Sequence, residues 1–175
     1  MLFAWHARQD YPLIFAGNRD EAYHRPSTPA AFWDDEPDIF AGRDLDKGGT
    51  WLGVSRSGRI ATVTNYRTGF ARRDEAPRSR GELVASYLRS HEPPDQYLQR
   101  VIPNAAQYRD FCLIVGNPDQ LCFYSNRGRG PEEIARGIHG LSNHLLDTPW
   151  PKVRIGRERV DRKSTRLNSS HMSES

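Results

Sequence analysis

Cys112 and Cys122 are the only thiols of the chain, and His6, His24, His91, His139 and His144 are scattered along it. Zinc sites need Cys or His ligands paired at short fixed spacings, and no such pair occurs here. Each histidine therefore reads as a surface or core residue, and no metal or cofactor is expected. Two cysteines cannot build a disulfide scaffold. They read as buried reduced thiols, with a disulfide between them as the alternative, because a hairpin centred on Asn117 would set Cys112 opposite Cys122. Asn126-Arg127-Gly128-Arg129-Gly130 has the glycines of a phosphate loop but lacks its Lys-Ser/Thr pair and its strand-to-helix setting, so it reads as a turn. Arg72, Arg73, Arg78 and Arg80 surround Asp74 and Glu75, which predicts a solvated charged loop rather than an anion site.

These residues must be positioned by hairpins and a few helices. Leu2 to Ala7 and Leu13 to Gly17 read as a first hairpin. Arg25 to Asp38 contains Pro26, Pro29 and Pro37, which predicts an extended loop anchored by Phe32 and Trp33. Thr50 to Ser55 and Arg59 to Tyr66 form a second hairpin on β-branched residues. Ser79-Arg80-Gly81-Glu82 fits a capping box. Leu83, Val84, Tyr87 and Leu88 behind it give an amphipathic helix. A short helix from Asp95 to Val101 is expected to stop at Pro103. Phe111 to Gly116 and Gln120 to Ser125 pair around Asn117-Pro118-Asp119. Ile138 to Asn143 reads as a strand and its end. Thr148-Pro149 starts a last helix lined by Trp150, Val153 and Val160. Strands outnumber helices and come in hairpins, so the class is α+β with antiparallel sheets.

The chain has 175 residues and a net charge of +3, from 25 Lys and Arg against 22 Asp and Glu. Its pI of about 9.0 invites a nucleic-acid partner. The stretch 162–175 carries three basic residues and one acidic one, so it holds two of the three net charges. The remaining near-neutral chain offers no basic surface interleaved with aromatics, and no nucleic-acid partner is expected. No run of about 18 apolar residues is present, so no membrane span is expected, and the thiols fit a reducing, cytoplasmic location. The Ser-rich 162–175 lacks any apolar period and resembles translated sequencing-adapter sequence. It is expected to be a disordered, non-native tail following a domain over 1–161.

Asn18-Arg19-Asp20-Glu21 with Arg25-Pro26 resembles the signature that names the NRDE family, also called the transport and Golgi organisation protein 2 family. Further blocks agree in order. They are Phe3-Ala4-Trp5, Phe32-Trp33, Ala41-Gly42-Arg43-Asp44, Gly48 to Gly53, Thr64-Asn65-Tyr66-Arg67, Arg80 to Val84, Gly140 to Asn143, and Leu146 to Lys152. The resemblance spans about residues 2 to 160. Family members begin Met-Cys and continue for roughly a hundred residues past the Pro-Trp-Pro-Lys block. The resemblance thus implies an incomplete domain, truncated at both ends.

The family resembles N-terminal-nucleophile hydrolases, which implies an αββα sandwich of antiparallel sheets. It also implies an amide-hydrolysing site in which the N-terminal Cys thiolate attacks and its own α-amine acts as base. By motif, Asp20 matches the amine-orienting carboxylate, and Asn65 and Asn143 match the two oxyanion-binding asparagines. Arg19 matches the cation that favours the thiolate. Leu2 stands near the place of the nucleophile, so the chain as written is expected to be inactive. The alternative implied by the same resemblance is a non-catalytic carrier or chaperone in haem or lipid/acyl-CoA trafficking. Its ligand would be flat or acyl, held near Trp5, Trp51 and Tyr66. The partner is accordingly a small-molecule amide, haem or an acyl ligand, and the oligomeric state is undefined.

Overall fold

The computed structural model describes residues 1–18, 24–67 and 78–171, with the side chains of the last helix described to 161. Arg19 and Asp20, and most of the charged loop around Asp74, lie outside the described residues. The chain forms two compact units, one of 1–19, 135–142 and 146–175, the other of 20–134 and 143–145. The described elements are helices and antiparallel strands, so the class is α+β as expected.

In the first unit β1 (Leu2–Trp5) is the middle strand, between β2 (Leu13–Ala16) and the last strand, Gly137–Gly140. Phe3 sits opposite both Phe15 and His139 and stacks on both rings, at 6.3 and 5.3 Å between centroids. A helix, Pro151–His171, closes this unit and buries Val153. Gly140 permits that approach, since a Cβ there would lie 2.5 Å from Val153 Cγ1. The helix starts at Pro151 rather than at Pro149. A proline is favoured at the first helical position because its missing N–H has no intrahelical partner there, and the chain offers two candidates two residues apart. The helix also runs on to His171, through most of the stretch expected to be without structure.

The described residues of the second unit form a meander of seven strands: β3 (Ala31–Trp33), β4 (Glu36–Ala41), β5 (Leu52–Ser55), β6 (Ile60–Asn65), β7 (Phe111–Gly116), β8 (Leu121–Ser125) and β9 (Glu132–Glu133). The strand of the first unit, Gly137–Gly140, is then β10. β3 and β4 correct the expected loop over Arg25 to Asp38. Pro37 falls where the ladder is irregular, between the pairs Trp33–Glu36 and Phe32–Phe40, so its missing N–H breaks no regular rung. Of the two expected anchors only Trp33 is buried, and its indole N–H donates to the Ala41 carbonyl at 3.1 Å. Phe32 is exposed.

Two helices, α1 (Arg80–Arg89) and α2 (Pro94–Val101), lie on one face of this sheet, and the first unit's helix is therefore α3. Ala61, Phe111, Leu113, Val115, Cys122 and Tyr124 form one core with Leu83, Val84, Tyr87, Tyr97 and Leu98. The period of two along the strands and of three to four along the helices sets this interface. Each of the larger side chains contributes about 1.5–3 kcal/mol by leaving water. Every residue of β7 and β8 is buried, so both faces of these strands are covered.

Ser79 occupies the N-cap of α1 as read, but no capping box forms. Its side chain makes no cap bond, and the Glu82 carboxylate is drawn to the Arg78 guanidinium instead. A charge-assisted pair outcompetes a neutral backbone donor. At the other end Ser90 is the cap, and Arg59 braces it. Its guanidinium donates to the carbonyls of Tyr87 and Glu92 and to Ser90 Oγ, and it lies 3.9 Å over the Tyr87 ring. Pro103 does not end the helical path after α2. The chain tightens into a 3₁₀ segment, Ile102–Gln107, where Pro103 sits in the first turn and needs no donor.

Candidate functional site

Asn65 is the last residue of β6 and pairs in register with Phe111. Asn143 belongs to the same unit and has a left-handed backbone, with φ of 54°. Asparagine enters this region more readily than other side chains except glycine. The turn aims the Asn143 carboxamide at the end of β6, where Nδ2 donates to the Asn65 carbonyl at 3.1 Å. In return the Arg67 N–H donates to the Asn143 carbonyl at 2.9 Å. Two asparagines 78 residues apart are thus brought together. Asn143 keeps a second Nδ2 proton, and no described residue bonds the Asn65 carboxamide.

Two neighbours were not singled out for this site. Tyr66 Oη lies 2.9 Å from His144 Nε2, with the rings 4.9 Å apart. The Cys112 thiol donates to the His144 carbonyl at 3.1 Å. Tyr66 was expected only as an aromatic beside a carrier's ligand, the one signal for His144 was adjacency to Asn143, and the contact spans 78 positions. Cys112 does not face Cys122. The turn centres between Pro118 and Asp119, so Cys112 pairs with Ser125 and Cys122 with Val115. Both thiols are free and buried. Desolvation pushes Cys112 up to about 11 and Cys122 up to about 12, so neither is a nucleophile near neutral pH.

In the first unit the Leu2 side chain fills the space beside Gly140 and Gly156, which a Cβ at either glycine would invade. It is a packing residue with no reactive group. The Met1 amine donates to the Leu141 carbonyl at 2.9 Å, and burial together with the Lys152 charge holds it below its ordinary range. Trp5 is buried within this unit, edge-on to His6, while Trp51 packs over Gly42 in the other.

Other motif residues are structural. Asp44 accepts from Arg25 and from the amides of Asp46 and Lys47. Burial opposes its charge, and these donors more than offset it, leaving its carboxyl below the ordinary range. Asn126 accepts from the Phe111 N–H and donates to the Ala105 and Tyr108 carbonyls, so the Gly/Arg stretch is a pinned turn. Among the described residues no cluster of His, Cys, Asp and Glu could hold a metal ion, and no helix is long and apolar enough to cross a membrane.

A family model described as Transport and Golgi organisation 2 matches residues 1–174. The cattle Transport and Golgi organization protein 2 homolog is 42% identical over 161 residues, which is 87% of this chain and 58% of that protein. The human homolog is 40% identical over 161 residues, with the same coverage. The Drosophila melanogaster Transport and Golgi organization protein 2 is 29% identical over 167 residues, 86% of this chain and 58% of its own. The chain therefore spans somewhat more than half the length of these relatives.

Proposed function

Since the chain belongs to the Transport and Golgi organisation 2 family, we propose that Asn65 and Asn143 are the oxyanion-binding pair of a cysteine N-terminal-nucleophile site for amide hydrolysis. The observation that carries this reading is the left-handed turn at Asn143, which sets its carboxamide against Asn65 at the end of β6. In such a site a thiolate adds to the amide carbonyl, and the negative charge that develops on oxygen is met by N–H donors. The C–N bond then breaks as the amine takes a proton, and water releases the acyl group from the thioester. Each oxyanion donor contributes about 3 kcal/mol to the barrier reduction. Asp20 would orient the attacking residue's amine, and Arg19 would favour its thiolate. Position 2 carries Leu, so the unmodified chain has no thiol for this step. The free thiols at Cys112 and Cys122 support a reducing, cytoplasmic setting.

The test is to express Leu2→Cys, verify Met removal by intact mass, and treat it with an activated amide or a β-lactam. We expect a single adduct on the introduced thiol, formed about 10²-fold or more slowly when Asn65 or Asn143 is replaced by Ala. If that thiol is exposed at the terminus and fails to react, or reacts at the same rate without the asparagines, this reading ends. Saturable binding of haem or acyl-CoA by the unmodified chain would support the carrier instead.

A further inference from the structure

His139 lies in β10, and both of its ring nitrogens face acceptors. Nδ1 is 2.7 Å from Asp147 Oδ2 and Nε2 is 2.8 Å from the Ala135 carbonyl. A neutral imidazole carries one N–H, so one of these short contacts would set lone pair against lone pair. Only the imidazolium satisfies both. Asp147 takes up the rest of its bonding within the same unit. Its Oδ1 accepts from the Gly140 N–H at 2.8 Å and is ion-paired with Arg157 of α3 at 3.1 Å. Its own N–H returns to the Gly140 carbonyl at 2.9 Å, from a left-handed backbone with φ of 55°.

We propose that His139, Asp147 and Arg157 form a pH-sensitive clasp that closes the ends of the Gly140–Asp147 loop and ties α3 to β10. Loss of the His139 proton removes one of its two hydrogen bonds and leaves Asp147 with a single cationic partner. The charged groups around it are few. From β1 the imidazole meets the Phe3 ring, and from α3 it meets Arg157. Arg154, Glu158 and Asp161 of α3 line the same cleft, of about 570 Å³, as Asp147 and Arg157. Arg136 lies on the segment before β10. The Asp147 carboxylate raises the His139 pKa, against burial and the Arg157 charge. For Asp147, burial opposes the charge, and the His139 and Gly140 donors with the Arg157 charge more than offset it, so its pKa is lowered.

The sign follows from these directions. The His139 contribution to stability is complete below the ordinary histidine pKa and is lost as pH rises through the raised folded value. The Asp147 contribution is present above the ordinary aspartate pKa and is lost as pH falls through its lowered folded value. The clasp is thus strongest in mildly acidic solution and releases on the alkaline side.

The test is amide hydrogen exchange of the unmodified chain, read at the Gly140 and Asp147 N–H groups across a range of about pH 5.5–9, with NMR of the His139 ring. Protection factors, which already discount base-catalysed exchange, should fall about tenfold or more through the His139 titration. The ring should titrate above the ordinary histidine range. In His139→Gln the protection of both amides should be lower at about pH 6 and independent of pH. A ring that is neutral at about pH 6, or pH-independent protection in the unmodified chain, overturns the proposal. The ring titration and exchange of the unmodified chain decide the matter even where the variant fails to fold.

Discussion

At the scale of single residues, backbone handedness separates roles that sequence pattern merges. Asn143 is left-handed and donates through its carboxamide, so the two properties can be tested apart. Asn143→Ala should cost about 1–2 kcal/mol in urea unfolding, because a Cβ without a compensating polar group is disfavoured there. Asn143→Gly should cost less, since only the side-chain bond to Asn65 is lost. Equal losses would show that the left-handed turn contributes nothing. The thiols make a second residue-scale prediction. With Cys112 pushed up to about 11, roughly a thousandth of it is thiolate at about pH 8. Ellman's reagent should detect neither thiol in the native chain and both in denaturant. Rapid native labelling would contradict the burial.

Residue-scale legibility followed the reach of local signals. The two asparagines were found because each lies inside a family block, although only Asn65 ends a strand and Asn143 stands in the turn beyond β10. The contacts of His144, His139 and Asp147 were not, nor was the pairing of Tyr66 with His144, because they join positions that share no motif. The expected Cys112–Cys122 pairing failed by the placement of one turn, since moving a hairpin's centre by about a residue and a half changes every partner.

At the scale of elements, close backbone approach decides where helices can sit. A Cβ on Gly49 would stand 2.5 Å from the carbonyl carbon of Gly81, near the start of α1. Gly49→Ala should therefore destabilise by about 1–3 kcal/mol, through displacement of the helix start rather than through φ. A melting temperature unchanged from the parent would refute this contact. Arg59 acts at the opposite end of α1. Arg59→Met keeps much of the buried stem and takes the guanidinium donor from the Glu92 carbonyl, while the Tyr87 carbonyl keeps its two Ser90 donors, which should cost about 1–3 kcal/mol. Arg59→Lys should recover only part of that, because one ammonium cannot match the planar fork. The helices and the central hairpins were legible, because apolar periodicity and turn residues coincide there. β3 and β4 were hidden by prolines, whose local preference for extended loops was overridden by pairing with β5. The start of α3 was misplaced because Pro149 and Pro151 offer the same local signal.

At the scale of the whole molecule, the α+β class was legible from hairpins outnumbering helices, and the near-neutral charge of 1–161 from simple counting. The division into two units was not, because the first unit is assembled from both ends of the chain and no local signal joins them. The edge of the seven-stranded sheet carries a cross-strand row, Phe32, Phe40 and Val54, each about 40% exposed, with the Arg56 guanidinium over Phe32. An apolar row beside an unpaired edge favours self-association. Phe40→Lys should raise the concentration at which light scattering first detects aggregates, and no change would clear this row of that role.

The tryptophans lend the molecule an optical consequence. Trp5 is buried in the first unit and Trp33 in the second, the latter with the Arg43 guanidinium 4.4 Å over its ring. Each unit therefore contains its own shielded chromophore. Trp51 and Trp150 are less shielded; with both replaced by Phe, replacing Trp5 as well leaves an emission red-shift that reports the Trp33 environment, and replacing Trp33 instead leaves one that reports Trp5. A pair of single-tryptophan variants thus turns intrinsic fluorescence into two separate clocks, one for the opening of each unit.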